Sequence, residues 1–118
     1  MRGSKYQQRR QRNRPPSKQS ALLLFALARE PAAWRHGYEL SLETGLRAGT
    51  LYPLLVRLAD RGWLEAQWET TVVTGRPPRH LYRLTTIGLQ ETRALAEAQQ
   101  RTFELSRRAP LRPQREGA

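Results

Sequence analysis

Residues 49–84 read GTLYPLLVRLADRGWLEAQWETTVVTGRPPRHLYRL, and this stretch decides the fold. Its first part carries leucines at i, i+3, i+4 and i+7, the spacing of an amphipathic helix: Leu51, Leu54, Leu55 and Leu58. Gly62 is expected to end this helix, because glycine adopts the left-handed conformation after a helix without steric cost. Alternating residues 64–69 then predict a strand, and a second extended run, 80–84, follows a loop of glycine, proline and arginine. Helix, strand, basic loop and strand in this order outline a winged helix.

An almost wholly apolar segment, residues 21–28, precedes this stretch. A helix that is apolar nearly all round must be covered on more than one side, so we expect it to be the central buried helix. Ser17 or Ser20 can cap its start by accepting a hydrogen bond from a free backbone N–H. Pro31 ends it, since the residue before a proline is pushed out of the helical region.

A second short helix is predicted over residues 36–44, where it stops at Gly45. The brief turn that follows leads into the amphipathic helix, which is expected to start near Gly49 or Thr50. Two helices joined by such a turn form a helix-turn-helix, and the second is the candidate recognition helix. Pro53 is tolerated in its first turn, where a backbone N–H would have no intrahelical acceptor.

Two features would project from one side of this domain: the first turn of the recognition helix and the loop tip, residues 75–79. A helix end can bring side chains to base edges and phosphates, and the two guanidinium groups of a proline-stiffened tip can bridge neighbouring phosphates. The pattern predicts sequence-specific binding of duplex DNA by Arg47, Thr50, Tyr52, Pro53, Arg57, Arg76 and Arg79. The alternative is that the two tip arginines lie in a solvated turn and Tyr52 is a partly buried core residue.

Length and charge restrict the class of protein. The chain has 118 residues, enough for one compact domain with tails, and its net charge of +11 favours a polyanionic partner such as nucleic acid or an anionic membrane surface. It has no apolar run of about 18 residues and no signal-peptide core, so we expect a cytoplasmic protein without a membrane partner. The absence of cysteine excludes disulfides, thiolate nucleophiles and cysteine-based zinc sites.

The sequence does not predict an enzyme. His36 and His80 are single, separated histidines, and the acidic residues form no pair at the spacing of metal ligands. We therefore expect no catalytic residue, no metal and no cofactor. The competing function is non-specific binding of nucleic acid, which would explain the charge but not a recognition helix with a defined outward face.

A flexible basic arm is predicted over residues 1–17. Residues 1–20 hold seven basic and no acidic residues, so they supply +7 of the net +11. Without apolar periodicity this segment cannot bury enough surface to order itself. In one interpretation the arm follows DNA phosphates or enters the minor groove through its arginines, Arg9, Arg10, Arg12 and Arg14. In the other it is a solvated tail.

A last helix is predicted over residues 87–108, with Thr85 or Thr86 as its cap and a flexible tail, 109–118, after it. One stripe of this helix has spacings of three, four and three, the rhythm of a two-helix seam: Leu95, Ala98, Thr102 and Leu105. The stripe either joins two subunits or packs on the first helix of its own subunit.

Several of these motifs resemble the PadR family of transcriptional regulators, and the resemblance covers about residues 20–90. The motifs are the run His36-Gly37-Tyr38-Glu39-Leu40, the run Gly49-Thr50-Leu51-Tyr52-Pro53, the wing Gly75-Arg76-Pro77, and the strand end Tyr82-Arg83-Leu84-Thr85 with Gly88. The resemblance implies a mainly α fold with a small β-hairpin wing: a winged helix-turn-helix over residues 18–86, followed by a dimerisation helix over 87–108.

The function that this resemblance implies is that of a homodimeric repressor, which binds a palindromic operator and is released by a small ligand. Thr50, Tyr52 and Pro53 would lie at the major-groove end of the recognition helix, with Arg76 and Arg79 on the wing. The basic arm is not part of the family pattern, so its role depends on charge alone.

The resemblance also favours dimerisation through the last helix together with the first one, which adds Leu23 and Leu27 to the interface. Family members can hold flat aromatic compounds between their subunits. Trp63, Trp68 and Phe103 are the aromatic candidates for such a site in this chain, although the two tryptophans are more simply explained by strand packing.

Overall fold

A computed structural model describes residues 15–70 and 74–108. The predicted arm arginines Arg9, Arg10, Arg12 and Arg14 and the tail 109–118 lie outside the described residues. In chain order the elements are α1 (Lys18–Ala28), β1 (Arg35–His36), α2 (Gly37–Thr44), α3 (Ala48–Asp60), β2 (Leu64–Trp68), β3 (His80–Leu84) and α4 (Thr86–Arg108). The three strands form one antiparallel sheet in the order β1-β3-β2. The predicted fold class, a mainly helical winged helix, is confirmed.

The ends of the helices follow from local capping. Ser17 Oγ accepts a hydrogen bond from the backbone N–H of Ser20 at 3.1 Å and so caps α1. Thr85 Oγ1 does the same for α4, accepting from Gly88 N at 3.0 Å. Gly45 and Gly62 follow α2 and α3 with φ angles of 77° and 84°, the left-handed conformation expected of a glycine after a helix. Each of these helix ends is therefore set by a single capping residue that can be recognised in the sequence.

Helix α1 is the centre of the core, since it packs on α2, on α4 and on β3. Its leucines Leu23 and Leu27 are 0% and 1% exposed, and they belong to the same apolar cluster as the buried leucines of α3. Their predicted place in a subunit interface is therefore corrected: both side chains are already covered by the chain's own elements. The residue of α1 that stays open is Leu22, which is 49% exposed.

The buried arginine Arg35 joins the first two helices and had no role in the sequence-based prediction. Its Nη1 donates to the carbonyl oxygen of Ala26 at 3.3 Å, and its Nε and Nη2 pair with Glu39 and Glu43. Burial alone would lower the pKa of Arg35, but the two carboxylates outweigh it and raise the pKa, so the group stays charged. The end of α1 is thereby attached to the outer side of α2.

Strand β2 is buried only at its beginning. Leu64 lies opposite Leu84 in the core, whereas Trp68 lies opposite His80 and is 60% exposed. Trp63, which precedes the strand, is buried in the core, and the predicted strand packing of Trp68 takes the form of a ring contact with His80 at the exposed end of the hairpin. The described helices include none that is long and apolar enough to cross a membrane.

A close backbone contact fixes α4 against the turn between α3 and β2. A Cβ atom on Gly88 would lie 1.9 Å from the carbonyl oxygen of Trp63, whereas a Cβ on Gly49, in the first turn of α3, would meet nothing within 4 Å. Gly88 is therefore required by packing and Gly49 is not.

We predict that Gly88→Ala destabilises the protein by about 1–3 kcal/mol, because backbone atoms must move to admit the methyl group. The matched control Gly49→Ala should be neutral or stabilising by about 0.5–1 kcal/mol, since alanine is the better helix former and has room. Urea denaturation followed by circular dichroism measures both. Equal effects of the two substitutions would contradict the packing role of Gly88.

Candidate nucleic-acid interface

The recognition helix α3 starts at Ala48, one or two residues earlier than predicted, and Arg47 is its N-cap. Within the described part of the chain no side chain caps this end. The first backbone donors of the helical ladder are Thr50 N and Leu51 N, both to Arg47 O, at 2.9 and 2.8 Å. The N–H groups before them are left for an outside acceptor, and a helix N-terminus of this kind favours a phosphate.

The two faces of α3 differ as the leucine spacing predicts. Leu51, Leu54, Leu55 and Leu58 are buried. On the other face Pro53 and Arg57 are exposed, Thr50 is half-buried, and the N-cap Arg47 is exposed as well. Neither Arg47 nor Arg57 forms an ion pair with any residue that the structure describes. Both guanidinium groups are thus available to an anionic partner.

Tyr52 has a mixed position that fits neither sequence-based interpretation fully. It is 44% exposed, yet its ring lies over Gly37, the first residue of α2, where a Cβ would be 2.2 Å from the tyrosine hydroxyl oxygen. Burial raises the pKa of the neighbouring Tyr82 in β3, and the Tyr52 phenol adds to that effect. Tyr52 therefore packs against the start of α2 while keeping part of its ring accessible.

An aromatic stack extends from Tyr82 towards the wing. The hydroxyl of Tyr82 is hydrogen-bonded to His80 Nδ1 at 3.3 Å, and the His80 ring lies 4.0 Å from the Trp68 ring, centroid to centroid. Sequence reasoning assigned no role to His80. The stack explains why the hairpin continues past the core: its outermost pair, Trp68 and His80, is held by ring contact rather than by burial.

The two arginines of the wing tip are paired within the chain. Glu69 Oε1 accepts from Arg76 Nη1 at 3.0 Å, and Glu69 Oε2 accepts from Arg79 Nη2 at 3.2 Å. The tip is therefore not a simple solvated turn. Sequence reasoning missed Glu69, although the hairpin register contains the signal: Glu69 follows Trp68 and Arg79 precedes His80, so these two residues come next to the pair Trp68 and His80 on the side of the tip.

These hydrogen bonds, first from Arg76 and then from Arg79, lower the pKa of Glu69 from 4.5 to about 2. A carboxyl group with a lowered folded-state pKa contributes stability that is fully present above its unfolded-state pKa and is lost as the pH falls through its folded-state pKa.

We therefore predict that the difference in Tm between the wild type and Glu69→Gln is constant above about pH 5.5 and shrinks as the pH falls from about 4.5 towards 2. Thermal melts across this range measure it. A difference that is independent of pH would show that the charge of Glu69 is not what stabilises the wing.

The predicted seam of α4 runs from the core onto the surface. Leu95 packs against the core cluster, whereas Ala98, Thr102 and Leu105 are exposed. Leu105 is 67% exposed and the adjacent Phe103 is 55% exposed. The second half of α4 thus carries a few apolar side chains, Ala98, Phe103 and Leu105, that the described parts of the chain leave exposed. No group of three or more potential metal-ligating side chains occurs among the described residues.

The exposed helix end beside a hairpin wing defines a winged-helix protein of the DNA-binding class. Residues 23–94 match the sequence profile of the transcriptional regulator PadR-like family, and this match includes more than half of the chain. The chain belongs to the PadR-like family and is a DNA-binding transcriptional regulator rather than an enzyme.

Solved structures agree with this assignment. A PadR-like transcription factor from Bacteroides fragilis is 25% identical, with a TM-score of 0.64, over 75% of this chain and 85% of that one. A PadR family regulator from Eggerthella lenta is 32% identical, with a TM-score of 0.57, over 70% of this chain and 74% of that one. The PcaV regulator of Streptomyces coelicolor, solved with its natural ligand, is 27% identical, with a TM-score of 0.60, over 80% of this chain and 64% of that one. A comparison with curated proteins found no match.

Proposed function

We propose that this regulator represses transcription by binding an inverted-repeat operator as a homodimer, and that a small ligand releases it. The observation that carries the proposal is the outer face of α3, where Arg47 and Arg57 are exposed and unpaired within the described chain beside a helix end with free backbone donors. A face of this kind suits the major groove, where side chains reach base edges and amide groups reach phosphates. Thr50, Tyr52 and Pro53 lie on the same turn and would be the specificity-determining residues.

The second half of α4 supports the dimer. Leu105 and Phe103 are both solvent-exposed but lie on different faces of the helix, because residues two apart are separated by about 200° around its axis. A shallow groove lined by Ala98, Gln99, Thr102, Phe103 and Ser106 runs beside the stripe that ends at Leu105. A second α4 would cover this stripe, so Leu95, Ala98, Thr102 and Leu105 remain the proposed seam. On α1, Leu22 replaces Leu23 and Leu27 as the proposed contact, since it is the leucine that is open.

A two-fold dimer would present its two recognition helices about 34 Å apart, so the operator would consist of two half-sites one helical turn apart. The target would be reached in the cytoplasm. The charge of the chain gives the competing function, non-specific binding of nucleic acid, which requires neither two-fold symmetry nor the α3 face.

A ligand between the subunits is proposed on two grounds. The PcaV structure holds a natural ligand, and this chain has an aromatic side chain, Phe103, at its open α4 groove. The class of compound that suits such a surface is a small flat aromatic molecule, which would alter the angle of the two subunits and hence the spacing of the recognition helices.

We predict that selection from a random duplex library at near-physiological salt enriches an inverted repeat. Arg57→Ala should weaken binding to the enriched sequence by about 10-fold if the guanidinium reads a base, or should reduce the logarithmic salt slope by about 0.9 if it contacts a phosphate. Arg93→Ala makes the same charge change at an exposed site on α4 and should have little effect. Binding without an enriched motif, equal for both variants, would support the non-specific alternative.

We also predict that Leu105→Glu converts the dimer to a monomer, because a buried, unpaired carboxylate opposes association at the seam. Sedimentation equilibrium measures the state, and circular dichroism confirms that the helices remain. Ala96→Glu places the same charge about half a turn around α4 from Leu105 and should leave the dimer intact. A monomeric wild type, or dimers in both variants, would exclude this seam.

A further inference from the structure

Glu69 has an unusual environment for an acidic residue in a protein that binds a polyanion. Its carboxylate accepts four hydrogen bonds: from Arg76 Nη1 at 3.0 Å and Nη2 at 3.4 Å, from Arg79 Nη2 at 3.2 Å, and from the backbone N–H of Arg79 at 3.3 Å. Both wing arginines are therefore oriented by a single side chain.

The backbone of the wing tip offers few other means of holding these arginines. Pro77 and Pro78, which separate them, have no N–H to donate. The last backbone bond of the hairpin in the described residues joins Glu69 N to Arg79 O at 2.8 Å, and Gly75 turns the chain with a φ of 86°. Beyond that bond, the hydrogen bonds to the Glu69 carboxylate hold the described tip residues in place of backbone pairing.

The three charged groups are layered. The side chain of Glu69 is 15% exposed, whereas those of Arg76 and Arg79 are 32% and 39% exposed. A phosphate that approaches the tip therefore meets guanidinium groups first, with the carboxylate behind them. Each guanidinium carries five N–H donors, so the bonds to Glu69 leave donors for a second anion.

From this layering we propose that Glu69 is a positioning residue: it holds Arg76 and Arg79 as a preformed two-guanidinium site for one DNA phosphate. The inference rests on the proposed binding of duplex DNA. It predicts a direction for the change in DNA affinity, on removal of Glu69, that is opposite to the direction expected from net charge. If only net charge mattered, removal of Glu69 would add +1 to the wing and tighten the complex. If orientation matters more, the same removal frees two flexible side chains that must be ordered again on binding, and the complex weakens.

The test compares Glu69→Gln and Glu69→Ala with Glu65→Gln in the full chain. Glu65 is a matched control, because it lies on β2, the strand that leads to Glu69, and pairs with Arg83 Nε at 3.0 Å, away from the wing tip. The probe is one duplex of about 30 base pairs that carries the inverted repeat enriched by the library selection, and fluorescence anisotropy at several salt concentrations gives both Kd and the salt slope.

Both Glu69 variants are expected to bind about 3- to 10-fold more weakly than the wild type, with the salt slope lower by about 0.9, the value for one lost phosphate contact. Glu65→Gln is expected to bind as tightly as the wild type or slightly more tightly. Circular dichroism at the binding temperature checks that each variant is folded, and the conservative glutamine keeps the comparison possible if the alanine variant is not.

A double-mutant cycle separates positioning from a general structural effect. In an Arg76→Gln/Arg79→Gln background, Glu69→Gln should no longer change Kd, because nothing is left for the carboxylate to orient. A loss that persists in this background would overturn the positioning role. Equal or tighter binding by Glu69→Gln alone would overturn it as well. A wild type that fails to bind duplex would contradict the proposed function itself, whereas a binding wild type with an unaffected Glu69→Gln would contradict only this inference.

Discussion

The pairing of β3 with two strands at once is the constraint on which the domain depends. On one side it pairs with β1, which leads directly into α2, and on the other with β2, which directly follows α3. Its side chains Tyr82 and Leu84 enter the core, so the pairing is tied to the burial of α1 and cannot slip by one residue without turning apolar side chains to water. The pairing of this one strand thereby fixes the position of the wing relative to the helix-turn-helix.

Six arginines of the described chain fall into three kinds by the contacts that they make. Arg35 and Arg83 are internal fasteners: the first joins α1 to α2, and the second pairs with Glu65 and lies over the Trp34 ring at 4.3 Å. Arg47 and Arg57 have no such partner among the described residues and face outward. The wing arginines are intermediate, since they are paired and yet half accessible. Net charge therefore overstates the number of cations that are free to meet DNA, and the position of each one decides its role.

A series of aromatic rings runs along the hairpin, and Tyr52 of the recognition helix lies near its inner end. Tyr52 touches Gly37 and influences Tyr82, which is hydrogen-bonded to His80, and His80 stacks on Trp68. A change in the angle between α2 and α3 would therefore act first on Tyr52, at its contact with Gly37.

The sequence by itself determined the features that depend on local periodicity and single residues: the buried face of α3, the glycine stops at 45 and 62, the extent of β3, and the winged-helix class. The family motifs, which are also local, gave the class of function. Only the tertiary structure decided which residues meet across distance. Strand β1 has only two residues, too few for a periodic sequence pattern. It is a strand because its backbone pairs with the free edge of β3. The apolar sequence around Leu23 and Leu27 is the same whether these side chains face a partner subunit or the core of their own chain. Glu69 looks like any surface acid until the hairpin register places it beneath two arginines, because an ion pair depends on the distance between atoms, which sequence spacing does not give.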